Sequence, residues 1–179
     1  MVTELGVVVD PRDNLGTPRT GTYARVISSV AARVLGGDFS FRRLTIDARR
    51  YTTLGTNLVG AVQVQYDGVA GTVPFDQLPQ IGADSAMRGY PRGRYRDNHA
   101  FTAQAELRTG YWKRVGAIAF IGAGTVAPGA SDLADGPWYP TGGVGLRALL
   151  VPRDRTVARV DLGFGRGSFG INIGIGEAF

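Results

Sequence analysis

In Ala100-Phe101-Thr102-Ala103-Gln104-Ala105-Glu106-Leu107-Arg108 every second residue is apolar. Phe101, Ala103, Ala105 and Leu107 share one face of an extended chain, and Thr102, Gln104, Glu106 and Arg108 share the other. The same period returns outward along the chain. Leu44, Ile46 and Ala48 alternate with Arg43, Thr45, Asp47 and Arg49, and Val62, Val64 and Tyr66 with Gln63, Gln65 and Asp67. Val160, Leu162 and Phe164 alternate with Arg159 and Asp161. Phe169, Ile171, Ile173, Ile175 and Phe179 alternate with Gly170, Asn172, Gly174 and Ala178. The best helical candidate, Tyr23 to Leu35, is rich in β-branched residues and flanked by Gly21 and Gly36-Gly37, which suits a strand. The reading gives strand-like segments at 3–11, 21–34, 39–52, 57–69, 99–110, 113–124, 142–151, 155–164 and 169–178. Gly36-Gly37, Pro152-Arg153-Asp154 and Gly163 to Gly167 read as tight turns, and 70–98 and 126–140 as long loops.

Composition narrows the class. The chain has 179 residues, 44% apolar and 20% charged, which suits one domain over 1–179 and excludes a disordered tail. There is no cysteine, so no disulfide framework, thiolate metal site or cysteine nucleophile exists. The net charge is +5, and Lys113 is the only lysine among 20 basic residues. The arginines are spread along the chain and interleaved with Asp, which fits a charge-paired interior better than a nucleic-acid surface. No run of 18 or more apolar residues is present, so no helix is expected to span a bilayer. Met1-Val2-Thr3-Glu4 leads directly into a strand-like run, without the pattern of a secretory signal.

A soluble sheet also alternates, so the polar face must decide the environment. That face carries opposite charges two positions apart: Arg43, Asp47 and Arg49; Glu106 and Arg108; Arg159 and Asp161. Tyr23, Tyr51, Tyr66, Tyr111, Trp112, Trp138, Tyr139 and Phe179 fall at or beside strand ends. An apolar band, aromatic girdles, a polar lumen and rims of unequal loop length are the pattern of a transmembrane β-barrel. The expected fold is therefore all-β, an antiparallel up-and-down transmembrane barrel. An even count of about eight strands is expected, with Arg43, Asp47, Arg49, Glu106, Arg108, Arg147, Arg159 and Asp161 pointing inward.

Several motifs in order then resemble one family. Asp10-Pro11-Arg12-Asp13-Asn14 before Gly21-Thr22-Tyr23 is similar to a strand–turn–strand of the bacterial surface-antigen superfamily, which includes BamA, TamA and the two-partner secretion transporters. Val73-Pro74-Phe75, Ile81-Gly82 and Met87-Arg88-Gly89-Tyr90 resemble its long loop. Gln104 to Arg108, Phe120 to Val126 and Gly143 to Leu146 resemble the strands that follow. Ile173 and Ile175 lead into Ile175-Gly176-Glu177-Ala178-Phe179, like the C-terminal assembly signal of outer-membrane proteins. The chain looks like a short form, without the periplasmic domains and with about half the strands.

The resemblance implies a place in the bacterial outer membrane. It implies a part in assembling, inserting or translocating outer-membrane proteins, with client proteins or assembly machinery as partners besides the lipid bilayer. The alternative is a structural or interaction barrel without insertase activity. It also implies that Arg88 of the Arg88-Gly89-Tyr90 signature is held by acidic residues on the next two strands. Glu106 matches the first, but Gly122 stands where the second is expected. The alternative for Arg88, Arg92, Arg94, Arg96 and Asp97 is a solvated loop.

No catalytic, cofactor or metal residue is expected. His99 is the only histidine, no Gly-x-Ser-x-Gly elbow is present, and Gly163 to Gly167 lacks the Lys-Ser/Thr of a nucleotide loop. An eight-stranded barrel has room inside only for side chains. The expectation is thus a monomeric barrel whose 70–98 loop leaves the lumen, rather than a dimer that encloses it.

Overall fold

The computed structural model describes residues 2–32, 39–82 and 86–179. Every long alternating segment is a strand: β1 (Val2–Val9), β2 (Gly21–Ala31), β3 (Ser40–Thr53), β4 (Leu58–Thr72), β7 (His99–Thr109), β8 (Val115–Ala127), β9 (Tyr139–Val151), β10 (Thr156–Gly165) and β11 (Ser168–Ile175). Two short strands, β5 (Gln80–Ile81) and β6 (Tyr95–Arg96), pair with each other inside the long loop. The nine long strands form one antiparallel up-and-down sheet in the order β1-β2-β3-β4-β7-β8-β9-β10-β11. The turn expected at Gly36-Gly37 lies outside the described residues.

The fold class stands as expected, all-β and up-and-down, but the count and the closure differ. The sheet has nine long strands, not eight, and it is open: among the described residues no ladder joins β1 to β11. Alternation along one strand depends on that strand alone, whereas closure depends on what meets the two edges.

Period two sorts the side chains as read. Leu44, Val62, Leu107 and Leu162 are exposed on the convex face. Asp47, Glu106, Arg108, Arg147, Arg159 and Asp161 are buried on the concave face. The connections divide into two rims: 54–57, 110–114, 152–155 and the longer 10–20 on one, and 73–98 and 128–138 on the other. Gly163 and Gly165 belong to β10 rather than to a turn, and the β10–β11 turn is confined to Arg166-Gly167.

Two readings of the aromatic residues are corrected. Tyr51 and Phe179 do not form a girdle; with Ala61 and Ala178 they make a buried cluster on the concave side. Gly176 adopts a φ of +82°, open to glycine at little cost, and there the chain leaves the β11 alternation. The Glu177 amide donates to the Gly16 carbonyl at 3.0 Å, and Arg108 Nη2 donates to the Phe179 carbonyl at 2.9 Å. Phe179 is therefore on the opposite face from Ile173 and Ile175.

Candidate functional site: the loop anchor on the concave face

The polar face forms a chain of ion pairs across the sheet. Arg43 Nε donates to Asp67 Oδ1 at 2.8 Å, and Arg49 Nε to Asp47 Oδ1 at 3.0 Å. Gln63 Nε2 also donates to Asp47, at 3.0 Å. Arg108 Nε donates to Glu106 Oε2 at 2.8 Å, and Arg147 binds both Asp161 and Glu177. Buried charges persist only with such partners, because an unpaired one costs several kcal/mol, about 3–5 when its partner is removed.

Into this network comes the long loop. Arg88 is fully buried, not a solvated loop residue. Its Nη2 pairs with Glu106 Oε1, and its Nη1 donates to Asp161 Oδ2 at 2.8 Å. Its guanidinium carbon lies 3.7 Å from the centroid of the Phe120 ring, a cation–π contact in a desolvated place. The missing second counter-charge is therefore supplied by Asp161 of β10, not by position 122 of β8. Gly122 leaves little space for a side chain, since a Cβ there would lie 2.9 Å from the Ala103 carbonyl oxygen.

The remainder of the signature is pinned from β9, β11 and the turn before β11. Ser168 Oγ donates to the Gly89 carbonyl at 2.6 Å. Tyr90 OH donates to the Pro140 carbonyl at 2.7 Å and accepts from the Arg166 amide at 2.7 Å. Ile81, Met87, Tyr90 and Ala100 form a buried cluster, with Tyr95, Val126 and Tyr139 packed against it. The loop therefore lies on the concave face, contrary to the expectation that it leaves the lumen. Side-chain room in a closed small barrel is no limit when the sheet is open.

Glycine at inward positions makes this approach possible. A methyl group at Gly163 would overlap the Arg88 carbonyl oxygen. One at Gly89 would lie 2.6 Å from the Phe164 carbonyl carbon. A cavity of about 440 Å³ remains between the loop and β3, β4 and β7, lined by Thr45, Gln65, Asp67, Gln80 and Arg92 among others. On the opposite, convex face of β4 and β7, Tyr66 OH and His99 Nδ1 share a hydrogen bond at 2.8 Å.

Sequence reasoning missed Asp161 as the partner of Arg88 and, though the terminal motif contains Glu177, missed its pairing with Arg147. Asp161 was legible as an inward carboxylate, but its link to a loop 73 positions away was not. Glu177 sat in the tail taken as a continuing strand. Among the described residues no cluster of His, Cys, Asp or Glu could hold a metal, and no helix is long and apolar enough to cross a membrane.

An open, up-and-down antiparallel sheet, apolar outside and ion-paired inside with a loop drawn onto its inner face, defines the class of outer-membrane-type β-barrel walls. The family follows: residues 2–150 match the model of the Omp85 superfamily domain, and the chain belongs to that superfamily. The superfamily is associated with the bacterial outer membrane. No curated protein matches the chain significantly. The matched span includes Arg88 and Glu106 but ends before Asp161.

Proposed function

We propose that the chain is part of the wall of an outer-membrane barrel that helps assemble or insert other outer-membrane proteins. The role is physical, with no cofactor and no chemical step. One observation carries it: among the described residues the outer edge of β11, Ser168–Ile175, is unpaired in the sheet, beside the strand that anchors the loop through Asp161. A free strand edge is a template for an incoming strand. Gly170 and Gly174 weaken β11, as an openable seam requires.

The test is reconstitution in liposomes with a client barrel added from urea. Faster client folding than with empty liposomes is expected. An unchanged rate sinks this role and favours a structural barrel, a reading supported by the dense ion pairing of Arg88, Glu106, Arg147 and Asp161, which would stiffen the wall.

A further inference from the structure

We propose that the short-turn rim holds a binding site for a phosphate group, in the cavity that Arg19 and Arg108 share. The 10–20 connection is tied down at that rim. Thr17 Oγ1 donates to the Arg155 carbonyl at 2.9 Å, and the Glu177 amide to the Gly16 carbonyl at 3.0 Å. Beside it lies a cavity of about 270 Å³, walled by this connection, by the ends of β7 and β9, and by the turns between strands. Among the described residues its wall takes nothing from the long loop or from β11. Tyr111, part of that wall, is exposed, so water reaches the site from the rim.

The wall is strongly basic. It carries Arg19, Arg108, Arg147 and Arg155 against a single carboxylate, Glu177. Two of the four arginines are already matched. Arg147 Nε donates to Glu177 at 2.6 Å and its Nη1 pairs with Asp161, while Arg155 pairs with Asp13 at 2.9 Å. The other two have donors to spare. Arg108 is 5% exposed. Its Nε goes to Glu106 and its Nη2 to the Phe179 carbonyl, but its Nη1 has no hydrogen-bond partner among the described residues. The Arg19 guanidinium makes one long hydrogen bond, from Nη2 to the Thr56 carbonyl at 3.4 Å, and no ion pair among the described residues.

A buried donor without an acceptor is costly, and more so on a charged group. An anion that accepts from both arginines removes that cost. The two guanidinium groups come from separate elements, β7 and the 10–20 connection, so the ligand must offer several acceptor oxygens and more than one charge. A carboxylate has two oxygens and a single charge. A phosphate group carries about −1.5 to −2 near pH 7 and at least three acceptor oxygens, and the arginine fork suits it. Small-molecule sites usually measure about 300–1,000 Å³. A cavity just below that range takes a phosphate or a small phosphorylated headgroup, not a folded partner.

The test uses the full chain in a phosphate-free sugar detergent at pH 7 and constant ionic strength. Calorimetric titrations are made with inorganic phosphate, with acetate, and with a short-chain phosphatidic acid below its micellar concentration. Saturable binding of a phosphate probe is expected, weakened roughly tenfold in Arg19→Gln, the loss of one charge-assisted contact. That variant gives up only one long side-chain hydrogen bond, so its fold should be kept. Lys113→Gln, on a neighbouring turn outside the wall, should change the affinity less than about twofold, because its exposed charge is screened. Tighter binding of inorganic phosphate makes a free anion the source, and tighter binding of phosphatidic acid a lipid headgroup; either result supports the site. The urea midpoint of the wild type should also rise in phosphate relative to chloride of equal ionic strength, as for any ligand of the folded state. Binding of neither phosphate probe, acetate binding as tightly as both, or affinity that Arg19→Gln leaves as high as Lys113→Gln does overturns the proposal.

Discussion

Arg88 and Asp161, 73 positions apart, form a fully buried ion pair at 2.8 Å that ties the long loop to the tenth strand. Asp161 also accepts from Arg147 at 2.5 Å and from Arg159 at 3.4 Å, so one carboxylate is shared by three guanidinium groups. Asp161→Asn keeps the shape and removes the charge that all three face. It is expected to cost about 3–5 kcal/mol, the range for stranding buried charge. The unfolding midpoint in urea, measured in detergent, should fall accordingly, and trypsin should cut the loop at Arg92 and Arg94 sooner. Gly122→Asp in the same background should not restore the midpoint, because position 122 has no free space for a Cβ.

Gly163→Ala tests the seat of the loop without touching a charge. The added methyl overlaps the Arg88 carbonyl, so the loop must lift, at roughly 1–3 kcal/mol for an overpacked site. Gly142→Ala is the control. Position 142 lies on the convex face of β9, with its nearest neighbour, the Phe120 carbonyl oxygen, 3.4 Å from an added Cβ. Its effect should stay within about 0.5 kcal/mol, as for ordinary surface changes. Proteolysis of the loop should accelerate for Gly163→Ala alone.

Much of this was legible in the sequence, because a strand with two unlike faces writes its period into consecutive residues. All nine long strands were read, and Glu106 and Arg108 were placed on the inner face from alternation alone. The failures share a cause: each depended on residues far apart or on a single reversal of direction. Gly122 was read as a lost counter-charge because Asp161 lies on a strand two places further along the sheet. Phe179 was read into the β11 alternation because only the backbone at Gly176 shows that the chain turns inward. The open edges could not be read from within any strand.

Outside the spanning strands, the short-turn rim carries a titratable clasp. Asp13 in the β1–β2 connection accepts from Arg155 Nη2 at 2.9 Å, and from the amides of Arg19 and Thr20 at 2.8 and 3.1 Å. Partial burial opposes its charge, but these donors outweigh burial and hold the carboxyl below its ordinary value. A group depressed in the folded state stabilises above its unfolded pKa, about 3.9 for Asp, and that stability is lost as pH falls through the folded value. Wild type should therefore lose more stability than Asp13→Asn on acidification below about pH 4. Equal slopes for the two proteins would mean that the clasp contributes nothing, and high salt should shrink the difference because the pair is exposed.

Arginine on the convex face separates lipid from water as the neighbour of the sheet. The chain already places Arg42 and Arg50 on that face of β3, both exposed, and between them stand Leu44, Ile46 and Ala48. Charge at the two ends and apolar residues between is the order expected across a bilayer, where cost depends on depth. Val64→Arg, in the middle of β4 and exposed on the convex face, should cost roughly 2–4 kcal/mol in vesicles. Thr52→Arg, on the same face near the short-turn rim, should cost about 0–1 kcal/mol. Comparing urea midpoints of the two variants in vesicles checks this. In water neither substitution meets a barrier, so equal and small effects at both positions would show that the convex face is wet.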